Sequence, residues 1–226
     1  MKNWLFYIAV QASLLTFCGT LAHANLIVNG TFEDPLLTPG TFQLFTLGSG
    51  IGAGANWTVI GAPGDVAVVS TTYQAPVFPA QEQLNWLDLT GASATVTGVQ
   101  QVVPTVLGVT YDLSFWVGNQ TIFGISSTVN ILLNGTPSFV AANSLASSNQ
   151  NWQLFTYEFT AISASTAIGF LNGDPAGDQS NGLDNVQIVV SSNAAVPEPA
   201  SVFICGGGLI FLGAIFRRRL RTVRVL

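Results

Sequence analysis

The sequence predicts an all-β protein built as a β-sandwich, and three observations lead to that prediction. Apolar and polar residues alternate with a period of two over several short segments. Asn134-Gly135 provides a strong hairpin signal, and clusters of Gly, Asn and Pro separate the segments. No stretch between Asn25 and Val190 shows a convincing helical period. Short strands at regular spacing are typical of sandwiches.

The strand predictions follow the chain in order. The segment TYDLSFWVG, residues 110–118, places Tyr111, Leu113 and Phe115 on one face. VNILLNGTPSFV is predicted to be a hairpin that turns at Asn134-Gly135. NWQLFTYEFTA alternates aromatic with polar residues, and TAIGFLNG and GLDNVQIVV are predicted to be strands on either side of the turn-rich loop NGDPAGDQSNG.

Charge is distributed very unevenly along the chain. The 226 residues include eleven acids and six Lys or Arg, for a formal net charge of −5. Residues 25–195 contain ten of the acids and no Lys, Arg, His, Cys or Met. Nucleic-acid binding and binding to anionic membrane surfaces are therefore excluded, because both need basic residues. A hard cation such as Ca²⁺ fits this composition, and no disulfide can form within the body.

The same composition limits catalysis. Without His, Cys or Lys the body cannot form a catalytic triad, a thiol nucleophile, a Schiff base or the usual zinc sites. A carboxylate pair of the glycosidase type remains the one familiar option. We therefore expect that the protein is not an enzyme, with a glycoside hydrolase as a distant alternative.

The N-terminal segment has the pattern of a secretory signal peptide. Lys2 precedes an apolar stretch from Trp4 to Phe17, and Ala22-His23-Ala24 forms an A-x-A cleavage site. Residues 1–24 are therefore predicted to be a signal peptide, with Asn25 as the first mature residue. An uncleaved anchor helix is the alternative, although this stretch is short for a membrane span.

The C-terminal segment has three parts in a fixed order. Val196, Pro197, Glu198 and Pro199 form a stiff, non-helical tetrapeptide. Residues 200–216 carry no charge and are predicted to form a transmembrane helix about 25 Å long. Five arginines follow, including Arg217, Arg218 and Arg219, and they place that end of the helix on the cytoplasmic side. An ordinary C-terminal tail anchor would share this topology.

Residues 193–226 resemble the PEP-CTERM sorting signal of Gram-negative bacteria, because Pro-Glu-Pro, the apolar helix and the arginine-rich end all match. The resemblance implies that an exosortase, an integral-membrane cysteine protease, recognises the segment and cuts near Pro-Glu-Pro. It also implies export across the inner membrane, first as a membrane-anchored precursor. The released protein would then reside at the cell surface or in the extracellular matrix.

Residues 25–192 resemble the galactose-binding-like jelly rolls, which include several carbohydrate-binding modules. The opening NLIVNGTFEDP and the closing NGLDNVQIVV carry the resemblance, with NWTV, QEQLNWLDLTG and NWQLFTYEFTA in order between them. It implies a jelly-roll β-sandwich and a structural Ca²⁺ that joins the first and last strands. The implied ligands are Glu33 and Asp184, with Thr31 and Asn185 as further candidates. The family commonly has a second Asp at the position of Asn185, and the alternative is two solvated carboxylates.

Aromatic side chains are the usual means of holding sugar rings, which stack on their flat faces. We assign Trp57 and Trp152 to packing by the same resemblance. The predicted ligand-binding residues are Trp116, which lies on the polar face of its strand, with Asn119 and Gln120 after it, and Tyr73 in a loop. The alternative is that each of these aromatic residues packs within the fold.

Taken together, the sequence leads us to expect a non-catalytic surface or matrix protein that binds extracellular polysaccharide. The alternative is a purely structural matrix protein that associates with itself or with other proteins. Assembly of the protein that depends on calcium and not on sugar would favour the structural role over polysaccharide binding.

Overall fold

The computed structural model describes residues 24–122, 124–175 and 181–192. The predicted signal peptide up to residue 23 and the whole predicted sorting segment, residues 193–226, lie outside the described residues. Within the part of the chain that is described, no helix has the length and hydropathy needed to cross a membrane.

Twelve strands make up the described fold, and the prediction of an all-β protein is confirmed. They are β1 Phe42–Thr46, β2 Gly50–Ile51, β3 Trp57–Gly61, β4 Asp65–Ser70, β5 Asn85–Asp88, β6 Thr97–Pro104, β7 Thr110–Asn119, β8 Ser127–Leu133, β9 Thr136–Asn143, β10 Asn151–Thr160, β11 Ser165–Asn172 and β12 Gly182–Val190.

The strands form two six-stranded antiparallel sheets that pack as a jelly-roll sandwich. Sheet 1 has the order β1-β4-β5-β12-β7-β10, and sheet 2 has the order β2-β3-β6-β11-β8-β9. Most neighbours within a sheet are distant in sequence, as when β12 pairs with both β5 and β7. Long-range pairing therefore decides which side chains share a face.

The core lies between the sheets and is filled by the inward-facing half of each alternating strand. Leu113, Phe115 and Val117 of β7 are fully buried, as the alternation predicts. Phe115 meets Phe170 of sheet 2 edge-to-face, with ring centroids 5.0 Å apart. Trp57 is also fully buried, and its centroid lies 6.1 Å from that of Phe170. Trp57 is therefore a packing residue, as expected.

The hairpin prediction is confirmed at β8–β9. Asn134 and Gly135 form the two-residue loop with φ of 51° and 79°, and Leu133 pairs with Thr136. Both central residues are in the left-handed region, as a type I′ turn requires.

The opening segment of the body lies against β12, so the two ends of the domain meet. Leu26 N–H donates to the Ile188 carbonyl at 2.9 Å, and Val186 N–H donates to the Gly30 carbonyl at 2.9 Å. A Cβ at Gly30 would lie 2.1 Å from the Val186 carbonyl oxygen, so only glycine fits this approach. The close contact brings Glu33 into the same region as the bulge of β12.

Candidate functional site

A second, smaller apolar cluster lies outside the sandwich core. The connection between β4 and β5, residues 71–84, packs over the outer face of sheet 1, and we call it the covering loop. Phe78 of this loop stacks on Trp86 of β5 at a centroid distance of 6.2 Å, and Trp86 meets Trp152 of β10 edge-to-face at 6.0 Å. Tyr73 stacks on Phe78 at 6.3 Å. Aromatic side chains therefore line this face.

Two glycines make room for Trp152. Gly118 of β7 and Gly182 of β12 are directly opposite in the ladder. A Cβ at either position would lie 2.9 Å from the indole ring of Trp152. The Trp152 Nε1–H donates to the carbonyl of Pro79 at 2.9 Å and so ties the covering loop to β10. Trp152 is a packing residue as expected, although it packs on the outer face rather than in the main core.

Two adjoining cavities form a groove beside this cluster. One measures about 250 Å³ and is lined by Val69, Tyr73, Gln74, Phe78, Trp86, Asp88 and Gly91. The other measures about 210 Å³ and shares Val69, Tyr73, Asp88 and Gly91, with Phe42 and Leu44 of β1 at its far end. We call the joined cavities the aromatic groove. It combines flat apolar walls with a small number of polar groups, as ligand sites commonly do.

Asp88 is the one charged residue among those lining the groove. Its Oδ1 accepts hydrogen bonds from the Thr90 amide at 2.9 Å and the Thr90 hydroxyl at 2.6 Å. Asp88 is half-buried, with part of its surface on the groove. Burial raises the pKa of Asp88 from 3.8 to about 7, against the opposing effect of the Thr90 hydrogen bonds. Near neutral pH this carboxyl can therefore either donate or accept a proton.

Trp86 carries a buried hydrogen-bond donor next to the groove. The side chain is 2% exposed, and its Nε1–H has no hydrogen-bond partner among the described residues. Buried indole N–H groups usually have a partner, because leaving one without a partner costs free energy.

The carboxylate pair predicted at the junction of the two chain ends lies beneath the other end of the covering loop. Asp184 of β12 is fully buried, and its Oδ2 accepts from the amides of Gln81 and Glu82 at 3.0 and 3.2 Å. The Glu33 Oε1 accepts from the amides of Leu84 and Asn85, both at 2.9 Å. The two carboxylates therefore anchor the end of the covering loop and the start of β5 through four backbone amides, three of them in the loop.

The electrostatics of this pair favour an additional positive charge. Burial, and to a smaller extent the nearby charge of Glu33, raise the pKa of Asp184 from 3.8 to about 8. The described residues include no Lys, Arg or His that could neutralise the pair. The site must therefore take up either a proton or a cation.

The donor chemistry of the pair fits a hard cation, because every side-chain group is an oxygen ligand. Among the residues that the structure describes, no three His, Cys, Asp or Glu side chains come together, so carbonyls and water would complete the coordination. Asn185 lies at the β-bulge of β12 with φ 47°, and its amide N–H donates to Asp184 Oδ1 at 2.7 Å. Its Oδ1 accepts from Gln187 at 2.6 Å. Thr31 is half-buried in the turn before Glu33.

The predicted sugar-binding residues are dispersed in the structure. Tyr73 lines the aromatic groove. Trp116 is half-buried on the outer face of sheet 1, in register with Asp184 on one side and Leu154 on the other. Asn119 and Gln120 are fully buried, and their side chains donate to the carbonyls of Leu145 and Ser148, at 3.2 and 2.8 Å respectively. The side-chain amides of both residues therefore hold the connection between β9 and β10 in place.

Sequence reasoning missed Phe78 and Asp88 as groove residues. The signal for Asp88 is the segment NWLD, in which Trp86 and Asp88 are two apart and must share a strand face. Phe78 lies in a loop without periodicity, so no local pattern indicates its position.

Several solved structures are similar to this one. A cyclase from Fischerella sp. TAU gives a TM-score of 0.55 at 18% identity, over 75% of this chain and 98% of that chain. A Stig cyclase from the same organism, in complex with (3Z)-3-(1-methyl-2-pyrrolidinylidene)-3H-indole, gives 0.56 at 18% identity with the same coverage. A family 35 carbohydrate-binding module from Paenibacillus barcinonensis gives 0.43 at 14% identity, over 66% of this chain and 99% of that chain. No protein-family model and no curated protein matches the sequence.

At 18% identity, the likeness to the two cyclase structures establishes the fold alone. The two structures also correct one expectation. The prediction that the protein is not an enzyme does not stand, because the structures that match with TM-scores of 0.55 and 0.56 are cyclases, so this fold also occurs in enzymes. The error lay in treating His, Cys and Lys as necessary for catalysis, whereas a buried carboxyl with a raised pKa can serve as an acid or base.

Proposed function

We propose that this protein binds extracellular polysaccharide in the aromatic groove on the outer face of sheet 1. The observation that carries the proposal is the combination of Tyr73, Phe78 and Trp86 with a single carboxyl, Asp88, in one groove. Flat apolar walls suit the faces of sugar rings, and a few polar groups suit their hydroxyls.

The covering loop supports the proposal, because it holds one wall of the groove in place. It carries Tyr73 and Phe78, and it is fastened at its far end by Asp184 and Glu33. The aromatic wall is thus preorganised by contacts outside the groove, which reduces the ordering cost of binding.

A glycan array probed with the full-length protein tests this proposal. Tyr73→Ala should weaken binding to every bound glycan roughly fivefold to tenfold, the loss expected for one aromatic contact of about 1 kcal/mol. Leu154→Ala, which removes an exposed apolar side chain from the same sheet face, is the matched control and should have no effect.

Trp116→Ala tells where on the face the sugar lies. If this variant loses binding and Tyr73→Ala does not, the ligand occupies the region next to Asp184 and the groove assignment is wrong. If no glycan binds and light scattering shows calcium-dependent assembly, self-association replaces sugar binding as the function.

We further propose that Glu33 and Asp184, with Thr31 supplying a carbonyl, hold a structural Ca²⁺ that balances their charge. A bound cation would take the place of the proton that Asp184 otherwise retains near neutral pH. It would stabilise the attachment of the covering loop, since both carboxylates already bind that loop.

The last part of the proposal is that the protein is exported and sorted to the surface or matrix. The sequence of residues 1–24 and 193–226 supports it. An exosortase-type protease would remove the segment that contains Val196 to Pro199 and release the sandwich to the surface or matrix. Deleting the gene for that protease should leave full-length protein in the inner membrane. Unchanged fractionation in the deletion strain would contradict this.

A further inference from the structure

The aromatic groove contains the chemistry to select ligands by charge. Its lining includes a carboxyl group and no base, and the described residues around it contain no Lys, Arg or His. The neighbouring elements add further acids, namely Asp65 on β4, Glu82 on the covering loop and Asp184 on β12, together with the phenol of Tyr73. A negatively charged ligand would therefore meet no opposite charge from the protein.

The polar side chains that line the groove suit a hydroxyl. They are the phenol of Tyr73, the amide of Gln74 and the carboxyl of Asp88. A sugar hydroxyl can donate to or accept from each of these groups, so it fits Asp88 in either protonation state. A ligand carboxylate only accepts, so it can form a hydrogen bond with Asp88 only when Asp88 is protonated.

We propose that the aromatic groove selects uncharged sugars and excludes uronate-type and other anionic polysaccharides, with Asp88 as the residue that sets this selectivity. This inference rests on the proposed sugar-binding function and names the class of ligand for that site. An anionic ligand must bind while Asp88 carries a proton, and the protonated fraction falls tenfold for each pH unit above the pKa of Asp88.

The predicted selectivity therefore depends on pH in a defined direction. Burial raises the pKa of Asp88 to about 7, so at about pH 6 most molecules carry the proton and the two ligand classes bind more similarly. At about pH 8.5 the proton is largely lost, and anionic ligands should bind at least about tenfold more weakly than their neutral counterparts.

The experiment uses the full-length protein and pairs of oligosaccharides that differ only in charge. Each neutral oligosaccharide that binds is compared with its C6-oxidised form, in which a hydroxymethyl group has become a carboxylate. Dissociation constants for both forms are measured at about pH 6 and about pH 8.5, on either side of the pKa of Asp88. The readout is the ratio of the two constants, since that ratio cancels any general loss of affinity.

In the wild type the ratio should favour the neutral form and should increase with pH. In Asp88→Asn the increase with pH should disappear, because an amide does not titrate in this range. Glu158→Gln, which removes an exposed carboxylate from β10 of the same sheet, should retain the wild-type ratio at both pH values. Thermal unfolding of each variant confirms that it is folded.

The outcomes separate the inference from the proposed function. Equal binding of neutral and oxidised forms at both pH values overturns the inference and leaves sugar binding intact, as does a ratio that is unchanged in Asp88→Asn. Failure of every neutral glycan to bind overturns both.

Discussion

Replacing Asp88 by asparagine should change how the free energy of unfolding depends on pH. The carboxyl lies on the outer face of sheet 1, and burial raises its pKa from 3.8 to about 7. The folded protein thus holds this proton more tightly than the unfolded chain does. Stability from this group is fully present below the unfolded pKa and is lost as the pH rises through about 7.

The size of the effect follows from the two pKa values. Each pKa unit corresponds to about 1.36 kcal/mol, so the rise from 3.8 to about 7 sets an upper bound of about 4 kcal/mol. Between those values the wild type should lose up to about 1.4 kcal/mol per pH unit from this group alone. The asparagine side chain retains an oxygen that can accept the hydrogen bonds of Thr90 and has no proton to lose in this range.

Urea unfolding at a series of pH values from about 4 to 8 measures this difference. The free energy of unfolding of Asp88→Asn, relative to that of the wild type, should increase as the pH rises. Glu158→Gln controls for the removal of one negative charge, since Glu158 is exposed. Parallel stability curves for the wild type and Asp88→Asn across this range would refute the reasoning, because they would mean that folding does not change the affinity of Asp88 for its proton.

Three further predictions concern the scaffold. Gly182→Ala should lower the free energy of unfolding by about 1–3 kcal/mol in urea titrations, because its Cβ would lie 2.9 Å from the Trp152 ring; an unchanged value would show that the ring can move aside freely. Chelation of calcium should lower the melting temperature, and Asp184→Ala should abolish that response; a wild type indifferent to the chelator would argue against a bound cation. Phe170→Ala in the core should cost about 3–5 kcal/mol, whereas Ile125→Ala, at a site that is 89% exposed, should stay within about 0.5 kcal/mol. Similar losses at both sites would contradict the assignment of the core.

The sequence by itself determined the features that depend on near neighbours in the chain. The alternation in β7 and β10 predicts both strands and their buried faces, because successive side chains in a strand point to opposite sides. The turn at Asn134-Gly135 follows from the backbone preferences of two adjacent residues. The absence of bases from residues 25–195 is likewise read from the sequence without any structure.

Only the tertiary structure decided the features that depend on residues far apart in the chain. Nothing local indicates that Gly118 and Gly182 face each other beneath Trp152, or that the covering loop packs on sheet 1. Asn119 and Gln120 appear in sequence to be ligand contacts, yet loop packing buries them completely. Burial sets the pKa of Asp88, and long-range strand pairing sets the shape of the groove. Both effects depend on contacts between distant residues, which the alternation of apolar and polar residues does not encode.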